Sequence, residues 1–84
     1  MTYTAIKSLE ELDNILTDEP QDFFIALNGG ARSSKSIFKD EDGSYNILNE
    51  IDDSEQSLTK EQLFDTGLTN IGDAIIKNSF YKYN

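Results

Sequence analysis

The first hydrophobic pattern along the chain is typical of an amphipathic helix. Leu9, Leu12 and Leu16 recur at spacings of three and four residues, which places them on one side of a helix. Ser8 precedes this pattern and Glu11 follows Ser8 by three residues, which is the spacing of a capping box. The pattern therefore predicts a first helix that begins at Ser8 and ends at Leu16.

A short apolar run and two turn signals predict a β-meander after this helix. Residues 22–28 are aromatic and β-branched with apolar side chains on both faces, which predicts a central strand or a strand covered by a helix on one side and by another element on the other. Asn28-Gly29-Gly30 favours a hairpin turn, because glycine tolerates a positive φ. The return arm, residues 31–39, is polar and is expected to be solvent-facing or at an edge. A turn at residues 40–43 then leads to a third strand at residues 44–49, and such short connections make the strands antiparallel.

The pattern after the third strand predicts two more helices. Thr59 and Gln62 have the spacing of another capping box, which predicts a short helix over residues 59–65. Gly67 is the expected stop of this helix. Apolar residues at helical spacing then predict a third helix over residues 69–78.

The remaining segments predict no further strand. Residues 52–57 are acidic and polar, which indicates a solvated loop, and the aromatic end of the chain, residues 79–84, is expected to fray beyond Phe80. The predicted order is α-β-β-β-α-α. We therefore expect an α+β fold, a three-stranded antiparallel meander with helices packed on one face, in a single small globular domain over residues 1–84.

Composition limits the chemistry available to this domain. The 84 residues include no cysteine and no histidine, which excludes disulfides and zinc ribbons and removes the commonest general base. The 16 acidic and 7 basic residues give a net charge of -9, a field that repels nucleic acid and anionic membranes and attracts basic surfaces. The first residues lack the features of a signal peptide, so we expect a cytoplasmic protein.

Two segments have a partial likeness to ligand-binding loops. The segment that begins at Asp40 resembles a calcium loop, but Tyr45 and Ile51 stand where that loop needs glycine and glutamate. Residues 29–36 combine glycines, hydroxyls and two cations, but their lysine does not follow a glycine, unlike the lysine of a phosphate-binding loop. We therefore predict no metal site, no cofactor and no catalytic residues.

Clustered charges form the candidate binding surfaces. If two acidic clusters share a face, their spacing can imitate a run of phosphates and fit the basic groove of another protein. The alternative is a scattered, solvated surface. The candidate partner-binding residues are Glu10, Glu11, Glu50, Asp52, Asp53 and Glu55. Arg32, Lys35 and Lys39 form a candidate basic stripe in the second predicted strand, where lysine also serves to protect an exposed edge.

Three stretches of the chain have a distinctive sequence: residues 27–37 (LNGGARSSKSI), 49–59 (NEIDDSEQSLT) and 69–75 (TNIGDAI). They cover a little over a third of the chain, and they resemble small uncharacterised proteins carried by bacteriophages and mobile elements of gut-type bacteria. The resemblance implies an accessory protein of phage type, and such proteins often inhibit or adapt a host protein. It implies no catalytic residues.

These observations support two hypotheses about function. The first is a non-enzymatic, acidic protein-binding module, an accessory or inhibitory protein that occupies a basic surface of a host or defence protein in the bacterial cytoplasm. The second is a small structural protein that self-associates through its aromatic strand, residues 23–27, and its tail, residues 80–83. We expect a monomer or a weak homodimer, with no direct binding to nucleic acid or membrane.

Overall fold

The computed structural model describes residues 2–63 and 70–84, and six strands from this part of the chain form one β-sheet. Its strands are β1 (Tyr3–Ala5), β2 (Gln21–Ala26), β3 (Arg32–Lys39), β4 (Tyr45–Asn49), β5 (Ser54–Leu58) and β6 (Phe80–Tyr83). The described helices are α1 (Leu9–Ile15), α2 (Lys60–Leu63) and α3 (Ile71–Ile76), with a short 3-10 turn at Asn28–Gly30. Across the sheet the order is β1-β6-β2-β3-β4-β5, and every neighbouring pair is antiparallel.

The predicted α+β fold with a three-stranded meander (α-β-β-β-α-α) is wrong, because the domain is mostly sheet and its helices are small. β2, β3 and β4 are consecutive neighbours, but further strands extend them on both sides. The segment predicted as a solvated loop, residues 52–57, contains most of β5. The residues predicted to fray beyond Phe80 continue β6 as far as Tyr83. The polar segment becomes β5 because it pairs with β4, a long-range contact that its own residues do not indicate. The end of the chain is held as β6 because it pairs with a strand on each side, β1 and β2.

The polar strand β3 lies inside the sheet and not at its edge. It pairs with β2 on one side and with β4 on the other, and the edge strands are β1 and β5. Ser34 and Ser36 point to the face opposite the main core, and Lys35 points to the core side, where Asn49 accepts a hydrogen bond from it. This strand is therefore polar because its serines lie on a half-exposed face and its lysine has a hydrogen-bond partner. The predicted edge position is wrong.

Alternation along the strands gives the sheet two faces with different surroundings. One face packs against all three described helices in a single core cluster. Its main members are Phe23, Ile25, Ile37, Tyr45, Ile47 and Phe80 from the strands, with Leu9, Leu12, Leu63, Ile71, Ala74 and Ile75 from the helices. No described helix packs on the opposite face, which we call the uncovered face.

The first helix forms where the sequence predicts it, and its cap is in place. The Glu11 backbone N–H donates to Ser8 Oγ over 3.1 Å. The Glu11 carboxylate in turn accepts a hydrogen bond from the Lys7 backbone N–H at 3.2 Å, one residue before the position that a capping box uses. This cap orients Leu9 and Leu12 towards the core.

We expect Ser8→Ala to lower the free energy of unfolding by about 1 kcal/mol, because it removes the oxygen that accepts the Glu11 N–H. Urea denaturation followed by circular dichroism measures this change. Ser57→Ala is the matched control, since Ser57 is exposed on an edge strand, and its effect should stay within about 0.5 kcal/mol. Equal effects of the two substitutions would show that the cap contributes nothing.

The second capping box is also present. The Gln62 N–H donates to Thr59 Oγ1 over 3.2 Å, and the Thr59 N–H donates to Gln62 Oε1 over 2.9 Å. The helix that follows is described over Lys60–Leu63. The predicted stop at Gly67 and the start of the predicted third helix lie outside the described residues.

The C-terminal strand β6 joins the two ends of the chain. It lies between β1 and β2, and the Asn84 N–H donates to the Thr2 carbonyl over 3.1 Å. The radius of gyration is 11.7 Å, close to the value of about 11.8 Å that a compact chain of this length has. No helix in the described ranges is long and apolar enough to cross a membrane.

Candidate functional site

Five residues on the uncovered face form what we call the aromatic–arginine cluster: Tyr3, Phe24, Arg32, Tyr81 and Tyr83. Tyr3 lies on β1, the other two tyrosines on β6, and Phe24 and Arg32 on β2 and β3. The registers place Tyr3 opposite Tyr83 and Phe24 opposite Tyr81. Four neighbouring strands therefore contribute to one continuous surface.

Phe24 is the centre of this cluster, and only 2% of it is exposed. The Tyr3 ring meets it edge-on with centroids 5.3 Å apart, and the Tyr81 and Tyr83 rings lie 5.1 and 4.7 Å away. The Arg32 guanidinium carbon is 4.4 Å from the Phe24 centroid, and Arg32 donates a hydrogen bond to the Tyr83 hydroxyl over 3.2 Å. These contacts hold the outer side chains in place before any partner binds.

A shallow depression continues the uncovered face towards β5. Phe38 and Leu48 form its apolar part, and both are half-buried. Glu55 lies opposite Leu48 in the register and is exposed at the rim. Asp22 points to the same face from β2, so this face carries carboxylates as well as aromatic rings.

The six predicted partner-binding residues do not form one patch. Glu10 and Glu11 occupy the first turn of α1, which begins four residues after the edge strand β1 ends. Glu50, Asp52 and Asp53 lie in the turn between β4 and β5, towards the other edge of the sheet. Glu55 lies on β5 opposite Leu48 and points to the uncovered face.

A different acidic cluster forms at the end of the sheet where β3 turns into β4. The Lys39 N–H donates to the Thr17 carbonyl over 2.8 Å, which brings the loop after α1 against this turn. As a result Asp18, Asp40, Glu41 and Asp42 surround one surface depression. Within the described residues no group of acidic side chains has the arrangement of a metal site.

The three predicted basic residues point to different sides of the sheet. Arg32 belongs to the uncovered face, whereas Lys35 and Lys39 point to the helix side. The Lys39 ammonium is 2.6 Å from Asp13 Oδ1, and Lys35 donates to Asn49. The predicted basic stripe is therefore divided between two faces, and each of its members is engaged locally.

Asp13 connects α1 to the sheet through a polar network. Its Oδ1 accepts hydrogen bonds from the Lys39 ammonium and, over 2.5 Å, from the Tyr45 hydroxyl, and Lys60 lies 4.0 Å from its Oδ2. These bonds, with that of Lys39 the stronger, hold the pKa of Asp13 below its usual range. Burial and the Asp13 carboxylate raise the pKa of Tyr45. Asp13 and Asp73 are the carboxylates that pair with lysine in the described ranges.

The aromatic strand and tail considered for self-association lie against each other within one chain. β2 and β6 are paired, and the Phe23 and Phe80 rings are stacked with centroids 5.4 Å apart. The contact between these two rings therefore needs no second copy of the protein.

The sequence pattern did not predict the aromatic–arginine cluster, although the sequence of β6 contains part of the pattern that indicates it. Tyr81 and Tyr83 alternate with Phe80 and Lys82, which is the period-two pattern of a strand. The proximity of Tyr3 depends on pairing between the two ends of the chain and has no local signal.

Comparison with known proteins does not identify a counterpart: no protein family, no curated protein and no solved structure matches this chain. The surfaces of the folded domain are therefore the basis for proposing its function.

Proposed function

We propose that this protein is a non-enzymatic protein-binding module that binds a basic protein surface through the uncovered face of its sheet. The aromatic–arginine cluster is the observation that carries this proposal. Tyrosine and arginine are enriched among the residues that dominate binding energies at protein interfaces. Here Tyr3 is 48% exposed while its neighbour Phe24 is buried, so an exposed aromatic ring stands on a rigid base.

Charge complementarity supports a basic partner. The net charge is -9, and the ion pairs among the described residues involve only Asp13 and Asp73. Asp22 and Glu55 add carboxylates to the uncovered face itself. Carboxylates around an apolar centre accelerate the encounter with a cationic surface and disfavour acidic partners, nucleic acid and anionic membranes.

The biological setting belongs to the same proposal. The resemblance to small phage-carried proteins supports an accessory or inhibitory protein that acts on a host or defence protein in the bacterial cytoplasm. Occupying the basic surface of such a protein would block its own contacts with acidic ligands.

The test begins with capture of proteins from a bacterial lysate on the immobilised wild-type chain, at low and at high salt. The captured protein is then purified, and its affinity for variants is measured by calorimetry. We expect Tyr3→Ala to weaken binding by about tenfold or more, because it removes the exposed ring of the cluster. We expect the double variant Asp22→Asn/Glu55→Gln to weaken binding at low salt and to reduce its salt dependence.

The double variant Glu10→Gln/Glu61→Gln is the charge-matched control, because both residues are exposed on helices away from the uncovered face. It should change the affinity by less than about twofold. An equal loss in the control, or no loss with Tyr3→Ala, would contradict the proposed surface. Sedimentation of the wild type and of Tyr3→Ala tests the alternative that the chain self-associates. A wild-type dimer that Tyr3→Ala dissociates would show that the uncovered face binds a second copy of this chain.

A further inference from the structure

Lys35 begins a hydrogen-bonded chain on the helix side of the sheet. Its ammonium donates to Asn49 Oδ1, and Asn49 Nδ2 donates to Ser54 Oγ over 3.0 Å. The Ser54 backbone N–H donates to Asp52 Oδ1, also over 3.0 Å. The chain therefore links β3, β4 and the turn before β5, and it holds an ammonium and a carboxylate in fixed positions.

One hydrogen-bond acceptor contacts the Lys35 ammonium among the described residues. Only 7% of the residue is exposed, and an ammonium has three N–H donors. Within the described residues its hydrogen-bond acceptor is the Asn49 side chain. Burial of a charged group costs free energy, and a charged ligand that binds to it offsets part of this cost. Burial accordingly lowers the pKa of Lys35, although the nearby Asp52 carboxylate opposes this shift.

Lys35 lines an open depression whose other polar members can bind a ligand. Ser33, Asn49, Ser54 and Asn70 supply hydroxyl and amide groups, and Asp52 supplies a carboxylate. The Ser54 hydroxyl and backbone N–H hold the pKa of Asp52 below its usual range, so this carboxylate is ionised at neutral pH. The depression thus has a positive group at Lys35 and a negative group at Asp52.

We propose that this depression binds a small zwitterion, a molecule that carries both a carboxylate and an ammonium group, as a free amino acid does. The ligand's carboxylate accepts hydrogen bonds from the Lys35 ammonium, and its ammonium group pairs with Asp52. A simple anion is a poorer ligand because Asp52 and the net charge of -9 repel it. A simple cation can pair with Asp52, but the Lys35 ammonium repels it.

This site is separate from the proposed protein-binding surface. Lys35 points to the helix side of the sheet, and the aromatic–arginine cluster lies on the uncovered face. Either proposal can therefore fail while the other stands.

The test is a titration of the full-length, isotope-labelled chain with three probes at constant ionic strength: glycine, acetate and methylammonium. The measured signals are the amide resonances of Ser33, Asn49 and Ser54. We expect saturable shifts with glycine at millimolar affinity, and at least about tenfold weaker binding of the two single-charge probes, since each satisfies one of the two charges. The absence of a saturable shift with glycine, or equal affinity for glycine and acetate, would overturn the proposal.

Variants separate the two halves of the site. Lys35→Met keeps the apolar stem and should abolish glycine binding. Asp52→Asn lies in an exposed turn, preserves the side-chain oxygen that accepts the Ser54 N–H, and should reverse the preference from glycine to acetate. Lys77→Met is the charge-matched control, because the Lys77–Asp73 pair is 2.9 Å apart on α3 and also offers both charges.

Each variant has a decisive outcome. Unchanged glycine affinity in Asp52→Asn contradicts the proposal even if Lys35→Met does not fold. Loss of glycine binding in Lys77→Met would assign the signal to the exposed ion pair and overturn the proposed site.

Discussion

Phe80→Ala is expected to lower the free energy of unfolding by about 3–5 kcal/mol, the usual cost of truncating a fully buried phenylalanine. Phe80 is 0% exposed and its ring stacks on Phe23. Its carbonyl also accepts a hydrogen bond from the Ile6 N–H over 2.8 Å, so the residue sits where the two ends of the chain are joined. A small domain has about 5–15 kcal/mol of stability in total, and this loss removes a large share of it.

Urea denaturation followed by circular dichroism measures this effect. Ile76→Ala is the control, because it also shortens an apolar side chain near the C-terminus but Ile76 is 79% exposed. The control should change the free energy of unfolding by less than about 0.5 kcal/mol. A loss below about 1 kcal/mol for Phe80→Ala would mean that the last strand frays from Phe80 onward and would contradict the packing of this residue.

Asp13→Asn is expected to have the second largest effect, a loss of about 1.5–3 kcal/mol at neutral pH. The substitution removes the charge that pairs with the Lys39 ammonium, and it weakens the hydrogen bond from the Tyr45 hydroxyl. Because Asp13 connects α1 to β3 and β4, the substitution weakens the contact between α1 and the sheet. Thermal unfolding of both proteins at pH 7 provides the measurement.

The pH dependence of this loss has a definite sign. The folded-state pKa of Asp13 lies below its usual range, so the folded state favours the ionised carboxylate. The resulting stability is fully present above the unfolded-state pKa of about 3.9, and it is lost as the pH falls through the lower folded-state pKa. The difference between the wild type and Asp13→Asn should therefore be constant near neutral pH and narrow below about pH 4.

The control for this prediction is Asp73→Asn. Asp73 forms an exposed ion pair with Lys77 at 2.9 Å on a single helix, and such pairs contribute little. Its substitution should cost less than about 0.5 kcal/mol at every pH. A wild-type advantage over Asp13→Asn that stayed constant down to pH values well below 4 would show that the carboxylate charge is not the cause.

Local signals predicted the parts of the fold that depend on neighbouring residues. Ser8 with Glu11 and Thr59 with Gln62 mark helix starts. Thr59 and Gln62 form both hydrogen bonds of a capping box, and Ser8 accepts the expected one from the Glu11 N–H. Gly29, with a φ of 77°, occupies a turn where the sequence predicted one. These features involve contacts within a few residues, so a sequence pattern is enough to find them.

The candidate site could be predicted only in part. The presence of unpaired carboxylates follows from composition, but their grouping does not. Asp18 joins Asp40–Asp42 because a backbone hydrogen bond between Thr17 and Lys39 crosses from a loop to a strand. Lys35 looked like one member of a basic stripe, yet alternation along β3 turns it to the helix side, away from Arg32.

The sequence by itself determined the net charge of -9, the lack of cysteine and histidine, the helix caps and the hairpin turns. Only the tertiary structure decided that Tyr3 meets Tyr81 and Tyr83, that β6 is an interior strand, and that one sheet face stays uncovered by the described helices. The physical reason is that strand pairing joins residues that are far apart in the sequence. The backbone hydrogen bonds between strands are the same for any sequence, so the register and the neighbours of a strand depend on how the whole chain packs.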